Sequence, residues 1–541
     1  MQQFLNRLRA LAPTHTPKGW LFVGYDQLSV AHGPLSRRPD GQLGIVLCET
    51  TWRPKQRPYH QQKLALVLAN QRHFALEQAE RGIPVRYLTG SEDYASMLSP
   101  TAEVIGPIDV MEPAEREMRV NLEPLVASKA IRPISNPLWL STRADFVESQ
   151  GDKWRWRMDR FYKHMRRKMG LMLTNTGAPL GGKWSHDAAN RKPWKGEPAA
   201  PSRPHFESDE IDREVYELVR TRFGHHPGQL TPDALPTTKA DATALWRFAL
   251  GHCLTNFGAY EDAMNTEETY LFHTNISQLL NLGRLSAAQV ITDVMDLDIP
   301  LNSKEGFIRQ IIGWREFVRH VHRETDGFRQ IPQSARRNHQ PPSDPPDDTP
   351  SFLGADRPLP ATFWQANSGL NCLDHVVTEV WQHGYTHHIN RLMVLANWAT
   401  LLDVSPRALS DWFWVAFVDA YDWVVEPNVI GMGTFAVGEL MTTKPYISGA
   451  SYINKMSNYC QLCQFSPGKT CPMTPMYWAF LERHRETLTG NVRLALPLAS
   501  AAKRSPERRA DDLRIAHKTM SLLAEGKTIT PAQFEQRSQH A

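Results

Sequence analysis

The chain has 541 residues, of which 41% are hydrophobic and 22% are charged, and its formal net charge is +4. This composition is typical of a folded protein with several domains, and so small a net charge does not by itself indicate a polyanionic partner. No run of about 18 apolar residues occurs, which excludes a transmembrane helix; residues 1–16 lack the apolar segment of a secretory signal, and six cysteines are too few for a disulfide scaffold.

The N-terminal part alternates short apolar runs with helical patterns. We predict strands at residues 20–23, 44–47, 84–88 and 104–106, and a helix over residues 63–78. Strand–helix–strand alternation predicts an α/β domain with a doubly wound parallel sheet of the Rossmann-like kind, over residues 17–150. A ligand of such a sheet binds at the carboxyl ends of its strands, and an α/β domain without a ligand is the alternative.

Residues 151–240 form a predicted interdomain linker that begins with a basic segment. Residues 151–200 contain 12 Lys and Arg residues against four acidic ones, a net charge of +8, with aromatic residues such as Trp154, Trp156 and Trp184 interleaved. Cations mixed with aromatic rings suit phosphate contacts and base stacking. A solvated linker surface is the alternative interpretation.

Residues 241–500 predict an all-α domain. Helical periodicity covers residues 242–254, 279–297, 307–322, 373–381, 390–402 and 406–421. The acidic, proline-rich insert at residues 340–350 predicts a surface loop. The C-terminal segment 501–541 is polar, basic and weakly periodic, and we expect it to be an appendage.

Four cysteines form a candidate metal site. Cys460 and Cys463 have CxxC spacing, Cys471 follows, and Cys372 lies farther upstream. In a reducing cytoplasm, where we place the protein, clustered cysteines more often bind metal than form disulfides. Four thiolates suit tetrahedral zinc or an iron–sulfur cluster, and the spacing does not decide between them. The isolated Cys48 and Cys253 are predicted core residues.

Polar residues within the helical part are further candidates. Hydroxyls at a helix start, such as Thr274 and Ser277, bind phosphate or simply cap the helix. The paired histidines His387 and His388 are interpreted as proton donors, metal ligands or structural groups. Asp419, in an aromatic-rich segment, needs a partner because an unpaired buried carboxylate is costly, and Arg391 is the candidate.

Several segments resemble the photolyase/cryptochrome superfamily, and more narrowly its iron–sulfur bacterial branch, which includes the prokaryotic (6-4) photolyases. The resemblance extends from about Pro17 to Leu498. It rests on YEDAM at residues 260–264, FIRQIIGWREF from residue 307, THHINRLMV from residue 386, FVDAYDWV from residue 417 and the cysteine segment at residues 459–478. It implies an N-terminal antenna domain and a helical domain that holds FAD.

The resemblance also implies roles for individual residues. It assigns Cys372, Cys460, Cys463 and Cys471 to a 4Fe-4S iron–sulfur cluster. It assigns to FAD the phosphate contacts Thr274 and Ser277, the helix residues Trp314 and Arg315, and the ion pair Arg391 and Asp419. It assigns Asp26 and Glu49 to an antenna chromophore, 6,7-dimethyl-8-ribityllumazine.

The remaining assignments concern catalysis and DNA. His387 and His388 match the histidines of (6-4) photolyases, with His388 as the proton donor to the lesion. Tyr446 matches a residue of the lesion pocket. Electron transfer is assigned to Trp412, Trp364 and Tyr452. Arg191 and Asp187 match a segment that approaches DNA.

The function implied is light-driven repair of (6-4) pyrimidine–pyrimidone photoproducts, in which the lesion is extruded from the duplex and receives an electron from reduced FAD. The partner is ultraviolet-damaged DNA, bound by a monomeric, nucleoid-associated enzyme without membrane contact. Two alternatives stay open: a cryptochrome-type blue-light photoreceptor with the same cofactors, and a zinc-clamped DNA-binding protein without light chemistry.

Overall fold

The computed structural model describes residues 1–37, 42–151, 153, 155–331 and 350–534. Its N-terminal part is built on a five-stranded parallel sheet with the strand order β3-β2-β1-β4-β5. The strands are β1 (Gly19–Phe22), β2 (Leu43–Thr50), β3 (Val85–Gly90), β4 (Ile108–Met111) and β5 (Ile131–Ile134). The predicted parallel α/β domain is therefore confirmed.

Helices cover both faces of this sheet, and the most N-terminal one belongs to its core. The helices are α1 (Gln2–Ala10), α2 (Pro34–Arg37), α3 (Trp52–Gln56), α4 (Gln61–Glu80), α5 (Tyr94–Ile105), α6 (Arg116–Ala127) and α7 (Arg143–Gln150). In α1, Phe4 and Leu8 are buried in one cluster with the strand residue Leu21. The sheet domain therefore begins before residue 17, where we expected it to start.

The predicted strand at residues 104–106 is wrong. Val104 and Ile105 are the last residues of α5, and Gly106 ends that helix with a φ of +81°. The strand β4 follows two residues later. A run of three apolar residues fits the end of an amphipathic helix as well as a strand, so its local pattern could not decide between them.

The linker contributes two helices, α8 (Met158–Met169) and α9 (Glu210–Phe223), separated by an extended, irregular segment. Its aromatic residues do not form one surface. Trp156 is buried in the core, while Trp184 is contacted by the guanidinium groups of Arg166 and Arg167. Trp154 lies outside the described residues, as does nearly all of the insert at residues 340–350.

The remainder is helical, as predicted. Its helices are α10 (Lys239–Phe248), α11 (Leu254–Phe257), α12 (Ser277–Leu282), α13 (Ala287–Asp296), α14 (Leu301–Ile308), α15 (Glu316–Glu324), α16 (Thr362–Gln365), α17 (Asn371–His383), α18 (Asn397–Leu401), α19 (Pro406–Ala416), α20 (Asp422–Glu426), α21 (Ala450–Met456), α22 (Met473–Arg483), α23 (Arg485–Leu488), α24 (Ala495–Ala502) and α25 (Pro506–Ala524). Two predicted helices are shorter than expected: residues 279–297 divide at Gly283, which has a φ of +80°, and the helix from Pro406 ends at Ala416.

Several helices are joined through π-helical turns, which are wider than α-helical ones and frequent at functional sites. One turn, Arg309–Arg315, joins α14 to α15, and another, Asn390–Ala396, leads into α18. The first carries Trp314 and Arg315, and the second carries Arg391. Both turns therefore present candidate cofactor residues.

The C-terminal segment is not an appendage, which corrects our expectation. Helix α25 packs against α22, and its residues Ala516, Met520 and Leu523 are buried in the largest hydrophobic cluster of the helical domain. Its apolar stripe was hard to recognise in the sequence because the buried Asp512 and Thr519 interrupt it. The exact division into domains stays a prediction.

None of the described helices is both long enough and apolar enough to cross a membrane.

Candidate functional site

A cavity of about 340 Å³ lies within the helical domain. The candidate residues that line it are Thr274, Ser277, Trp314, Arg315, His388, Arg391 and Asp419. They come from the start of α12 and the residues just before it, the two π-helical turns, the residues just before the second of these turns, and the segment after α19. The structure thus brings together the residues that the resemblance assigns to FAD, whereas His387, Tyr446 and Tyr452 do not line this cavity.

The predicted pairing of Asp419 with Arg391 is present and has bidentate geometry. Arg391 donates from Nη1 to Oδ1 at 2.9 Å and from Nη2 to Oδ2 at 3.1 Å, and the Ser277 hydroxyl donates to Oδ2 at 2.7 Å. Burial alone would raise the pKa of Asp419, but Arg391 and Ser277 hold it below its ordinary value. The pair therefore places a fixed positive and a fixed negative charge at the cavity wall.

Other polar atoms at the cavity have no partner in the protein. The guanidinium of Arg315 forms an ion pair with Glu316 at 3.0 Å and lies 3.9 Å from the centre of the Trp139 ring, but its Nε makes no hydrogen bond. The side-chain oxygen of Asn275, next to Thr274, is also buried without a partner. Because buried polar groups are normally hydrogen-bonded, these atoms indicate a polar ligand.

The two neighbouring histidines differ sharply in environment. His388 faces the cavity with about half of its side chain exposed, and its Nε2 lies 3.6 Å from Oδ1 of Asp262. Desolvation opposes the charged form, but the carboxylates of Asp262 and Glu261 outweigh it and raise the pKa of His388. His388 is therefore suited to carry a proton near neutral pH.

His387 is a buried structural neighbour rather than a cavity residue. Its ring stacks on that of His273 with a centroid distance of 4.4 Å and an angle of 9° between the planes. Burial, with the nearby cations His388 and Arg391, lowers the pKa of His387 to about 3. His387 is consequently neutral at physiological pH.

Asp262 joins several candidate residues, and our sequence analysis did not single it out. It accepts a hydrogen bond of 3.0 Å from the Tyr452 hydroxyl and lies 3.8 Å from Nε of Arg191, in addition to its ion pair with His388. Arg191 itself pairs with Asp187. The only signal in the sequence was that Asp262 belongs to the YEDAM motif.

Cationic residues surround Tyr446 beside this network. Tyr446 is half-buried, and burial raises its pKa, with Asp187, Arg493 and Arg191 as its charged neighbours. Burial together with Arg493 and Arg191 lowers the pKa of Lys444. The side-chain amide of Asn491 donates to Glu439 at 2.7 Å and to the carbonyl of Thr443 at 2.9 Å. These bonds connect the segment that carries Arg493 to the segment that carries Lys444 and Tyr446. Lys444 and Arg493 carry no signal in the sequence, because they lie outside the basic linker.

The four candidate metal ligands converge from separate elements. Cys372 is buried at the start of α17, Cys460 and Cys463 lie on the turn after α21, and Cys471 precedes α22. Burial, and then the thiols of Cys471, Cys463 and Cys460, raise the pKa of Cys372. The isolated Cys48 and Cys253 are buried in the core.

The two candidate electron-transfer tryptophans occupy different depths. Trp412 is 1% exposed and lies 5.4 Å from the ring of Phe413, which lines the cavity. Trp364 is 42% exposed and therefore lies at the surface. Tyr452, the third candidate, packs at the edge of the cluster that contains the cysteine turn.

A second cavity, of about 1060 Å³, lies where the sheet domain meets the helical domain. Glu49 lines it, with both carboxylate oxygens bound by Arg72 at 2.6 and 2.8 Å, whereas Asp26 is buried outside its walls. Burial raises the pKa of Asp26 to about 6. Arg53 and Gln71, which also line this cavity, each have a buried nitrogen without a partner, so it too fits a polar ligand.

Comparisons with known proteins agree with this arrangement. Residues 21–235 match the family model described as deoxyribodipyrimidine photo-lyase-related protein. The fold resembles a bacterial class III photolyase from Agrobacterium tumefaciens, with 12% identity, coverage of 95% of this chain and 99% of that one, and a TM-score of 0.51. It also resembles a cryptochrome from Synechocystis, with 14% identity, coverage of 93% and 99%, and a TM-score of 0.54.

Sequence similarity extends over almost the whole chain. A (6-4) photolyase from Agrobacterium fabrum is 36% identical over 505 residues, which are 90% of this chain and 96% of that protein. Identity of this extent, together with the shared architecture, establishes common ancestry over both domains. The chain therefore belongs to the family of bacterial (6-4) photolyases, within the photolyase/cryptochrome superfamily.

Proposed function

We propose that the protein repairs (6-4) photoproducts in ultraviolet-damaged DNA in a light-dependent reaction. The observation that carries this proposal is His388, a histidine with a raised pKa that faces the cavity 3.6 Å from Asp262. The Agrobacterium fabrum relative, similar over nearly its entire length, is named a (6-4) photolyase.

The cavity of the helical domain fits FAD by the chemistry of its walls. Aromatic rings of Phe257, Phe307, Trp314 and Trp423 suit stacking on the rings of a dinucleotide, and the unpartnered polar atoms of Asn275 and Arg315 offer hydrogen bonds. Arg391 and Asp419 would hold the flavin ring, with Thr274 and Ser277 near the phosphates. When bound and reduced, FAD supplies the light-excited electron for the lesion.

The protein's own contribution to the chemistry is proton delivery. A histidine that is protonated near neutral pH can donate to a group forming in the lesion, and efficient general acids have a pKa close to the working pH. Asp262 keeps His388 charged and orients its ring. His387 packs against His273 and so fixes the backbone from which His388 projects.

Duplex DNA would bind over the cationic residues that surround Tyr446. Arg191, Lys444 and Arg493 offer sequence-independent phosphate contacts. A lesion stacked in the duplex must be extruded to reach the cavity, and poor pairing at the damaged bases lowers the cost of extrusion. Tyr446 and the pair of Asp187 with Arg191 would contact the extruded nucleotides.

The cysteine group fits an iron–sulfur cluster better than a single zinc ion. Four thiolates on one zinc ion lie about 3.8 Å apart, from a zinc–sulfur bond of about 2.3 Å. Among the residues that the structure describes, no three of the four sulfurs lie within 4.8 Å of one another. A 4Fe-4S cluster needs a wider spacing, because each thiolate binds a different iron atom. The cluster would join α17, the cysteine turn and α22.

The larger cavity is the proposed antenna site. Its aromatic walls, which include Tyr25, Tyr94 and Tyr421, suit a planar chromophore such as 6,7-dimethyl-8-ribityllumazine. The nitrogens of Arg53 and Gln71 that lack partners would bind its polar edge. Glu49, held in place by Arg72, would form part of the wall around the chromophore. Asp26 would support the loop next to the cavity.

A repair assay tests this proposal. The purified protein, loaded with FAD and reduced, is illuminated with blue light in the presence of an oligonucleotide that contains one (6-4) photoproduct. We expect restoration of intact pyrimidines, with no restoration in the dark and none of a matched cyclobutane dimer. Repair of the dimer alone, or of neither lesion, would contradict the proposal. As a DNA enzyme in a bacterium, the protein would act in the cytoplasm at the nucleoid.

The alternative function is blue-light signalling, which the fold likeness to the Synechocystis cryptochrome favours. Fold alone does not separate repair from signalling. The basic residues around Tyr446 favour repair, because a photoreceptor needs no contacts with DNA phosphates. Binding that does not distinguish damaged from undamaged duplex would favour the photoreceptor.

A further inference from the structure

Helix α1 lies at the wall of the larger cavity, although it precedes the residues 21–235 that the family model matches. Met1, directly before α1, lines this cavity. Together with Leu218 and Arg222 of α9, Met1 also lines an adjacent groove of about 610 Å³. Because the same three residues line both spaces, the start of α1 lies between the cavity and the groove.

The side chain of Phe4 connects α1 to the carboxylate of Glu49. Phe4 is fully buried, and its ring lies 4.6 Å from that of Tyr87 in an edge-to-face contact and 5.4 Å from the guanidinium carbon of Arg72. Both of these residues donate to Glu49, which accepts hydrogen bonds from Nε and Nη2 of Arg72 at 2.8 and 2.6 Å and from the Tyr87 hydroxyl at 2.6 Å. One aromatic ring of α1 therefore contacts both side chains that hold the Glu49 carboxylate.

Glu214 of α9 fixes the start of α1 against the same arginine. Its carboxylate accepts hydrogen bonds from the backbone N–H groups of Gln3 at 3.0 Å and Phe4 at 3.3 Å, and from Nη1 of Arg72 at 3.3 Å. A negative charge at a helix start is favourable, because it meets N–H groups that have no partner within the helix. The helix start, Glu214 and Arg72 thus form one network that ends at Glu49 in the cavity wall.

Glu49 has an acceptor position left for a ligand. A carboxylate offers about four acceptor positions, two on each oxygen. Oε2 of Glu49 accepts from Arg72 and Tyr87, whereas among the residues that the structure describes only Arg72 donates to Oε1. The imide N–H of a lumazine ring is a donor of the kind that fits this position.

We propose that Phe4 is a positioning residue for the ligand of the larger cavity. It keeps Tyr87 and Arg72 in the geometry that fixes Glu49, so that the carboxylate meets an N–H group of a planar heterocycle in one orientation. The inference rests on the proposed antenna site. It gives α1 a role in ligand binding in addition to its role in the core of the sheet domain.

The test compares Phe4→Ala with Leu8→Ala. Leu8 is buried in the same hydrophobic cluster, about 6 Å farther along α1, so both variants should lower the melting temperature. Each purified protein is titrated with 6,7-dimethyl-8-ribityllumazine, whose fluorescence reports binding. We expect Phe4→Ala alone to weaken binding, by about tenfold, as for one lost hydrogen bond to a charged group. FAD content should stay unchanged, since none of the described residues that line the cavity of the helical domain belongs to α1.

A double-mutant cycle separates positioning from a general loss of structure. If Phe4 acts through Glu49, Phe4→Ala should weaken lumazine binding much less in a Glu49→Gln background than in the unmodified protein. The absorption band of bound lumazine is a second readout, because a fixed negative charge displaces it. The band should move toward that of the free compound in Phe4→Ala and stay in place in Leu8→Ala.

Phe4→Leu keeps most of the buried volume without the aromatic ring, and it gives the same test in a more stable protein. Equal affinities of Phe4→Ala and Leu8→Ala for lumazine, additive effects in the cycle, or unchanged binding by Phe4→Leu would each overturn the proposal. Absence of lumazine binding by the unmodified protein would overturn it together with the antenna site. Repair of a (6-4) photoproduct by the same preparation, with FAD as the light absorber, shows whether the proposed repair function fails as well.

Discussion

His388 and Asp262 form an ion pair, with Nε2 3.6 Å from Oδ1, at the edge of the proposed flavin cavity. The Tyr452 hydroxyl and Arg191 contact the other oxygen of the same carboxylate. Asp262 thus connects the proposed proton donor to the segment proposed to meet DNA. Its charge, with that of Glu261, raises the pKa of His388, and the contacts of Tyr452 and Arg191 hold the carboxylate in place.

We predict that repair depends on pH through this pair. Only protonated His388 donates a proton, so the repair rate should be constant at low pH and fall as pH rises through the raised pKa, above about 6.5. The stability that the pair contributes is likewise present below about pH 6.5 and is lost as pH rises through the folded-state pKa. In Asp262→Asn the fall in rate should occur at lower pH. An identical pH profile in that variant would exclude the proposed role of Asp262.

The two histidines should respond differently to substitution by alanine. His388→Ala removes the proton donor, so we expect repair to be lost while flavin content and melting temperature stay unchanged. His387→Ala removes a buried ring from its stack on His273 and should lower the unfolding free energy by about 2 kcal/mol. Urea unfolding and the repair assay on both variants check this. Full repair by His388→Ala would refute its assignment.

Asp419→Ala should be strongly destabilising, because it leaves the guanidinium of Arg391 without its bidentate partner. Removing one member of a buried ion pair costs about 3 kcal/mol or more. The matched control is Asp511→Ala, which removes an exposed pair with Arg514 and should change stability by less than about 1 kcal/mol. Because the pKa of Asp419 is lowered, its contribution should be present above about pH 4 and lost as pH falls through the folded-state pKa. Equal urea midpoints for the two variants would contradict the prediction.

Substitution of one cysteine should remove the proposed cluster. We expect Cys471→Ser to lose iron, acid-labile sulfide and visible absorption, because the remaining three thiolates cannot complete the ligand set. Cys253→Ala, at a buried thiol outside the group, is the control and should retain them. Metal and sulfide analysis of protein purified without oxygen measures both. Stoichiometric zinc without sulfide in the unmodified protein would contradict the iron–sulfur assignment.

Helix α25 should contribute to the stability of the whole helical domain. Met520 is 3% exposed, so Met520→Ala leaves a cavity against α22 and should cost about 2–5 kcal/mol. His517→Ala, at an exposed position of the same helix, should change stability by less than about 0.5 kcal/mol. Chemical denaturation compares the two variants. If both left stability unchanged, the segment would be an appendage after all.

Local patterns were enough for much of the architecture. Hydrophobic runs located β1, β2 and β3, and helical periodicity located α10, α12, α13, α15, α17, α18 and α19 but none of the helices from α20 onward. The need of a buried carboxylate for a partner correctly paired Asp419 with Arg391. A run of only three residues was insufficient to assign secondary structure, as the end of α5 shows. An apolar stripe interrupted by buried polar groups was insufficient to predict a packed helix, as helix α25 shows.

The sequence by itself determined the residue types of the site: paired histidines, four cysteines, and the buried carboxylate of Asp419 with Arg391 as its partner. Tertiary structure alone decided which of these face the cavity and that Asp262 forms an ion pair with His388. The physical reason is that periodicity and burial cost act on neighbours along the chain, whereas an ion pair or a ring contact depends on which helices pack together.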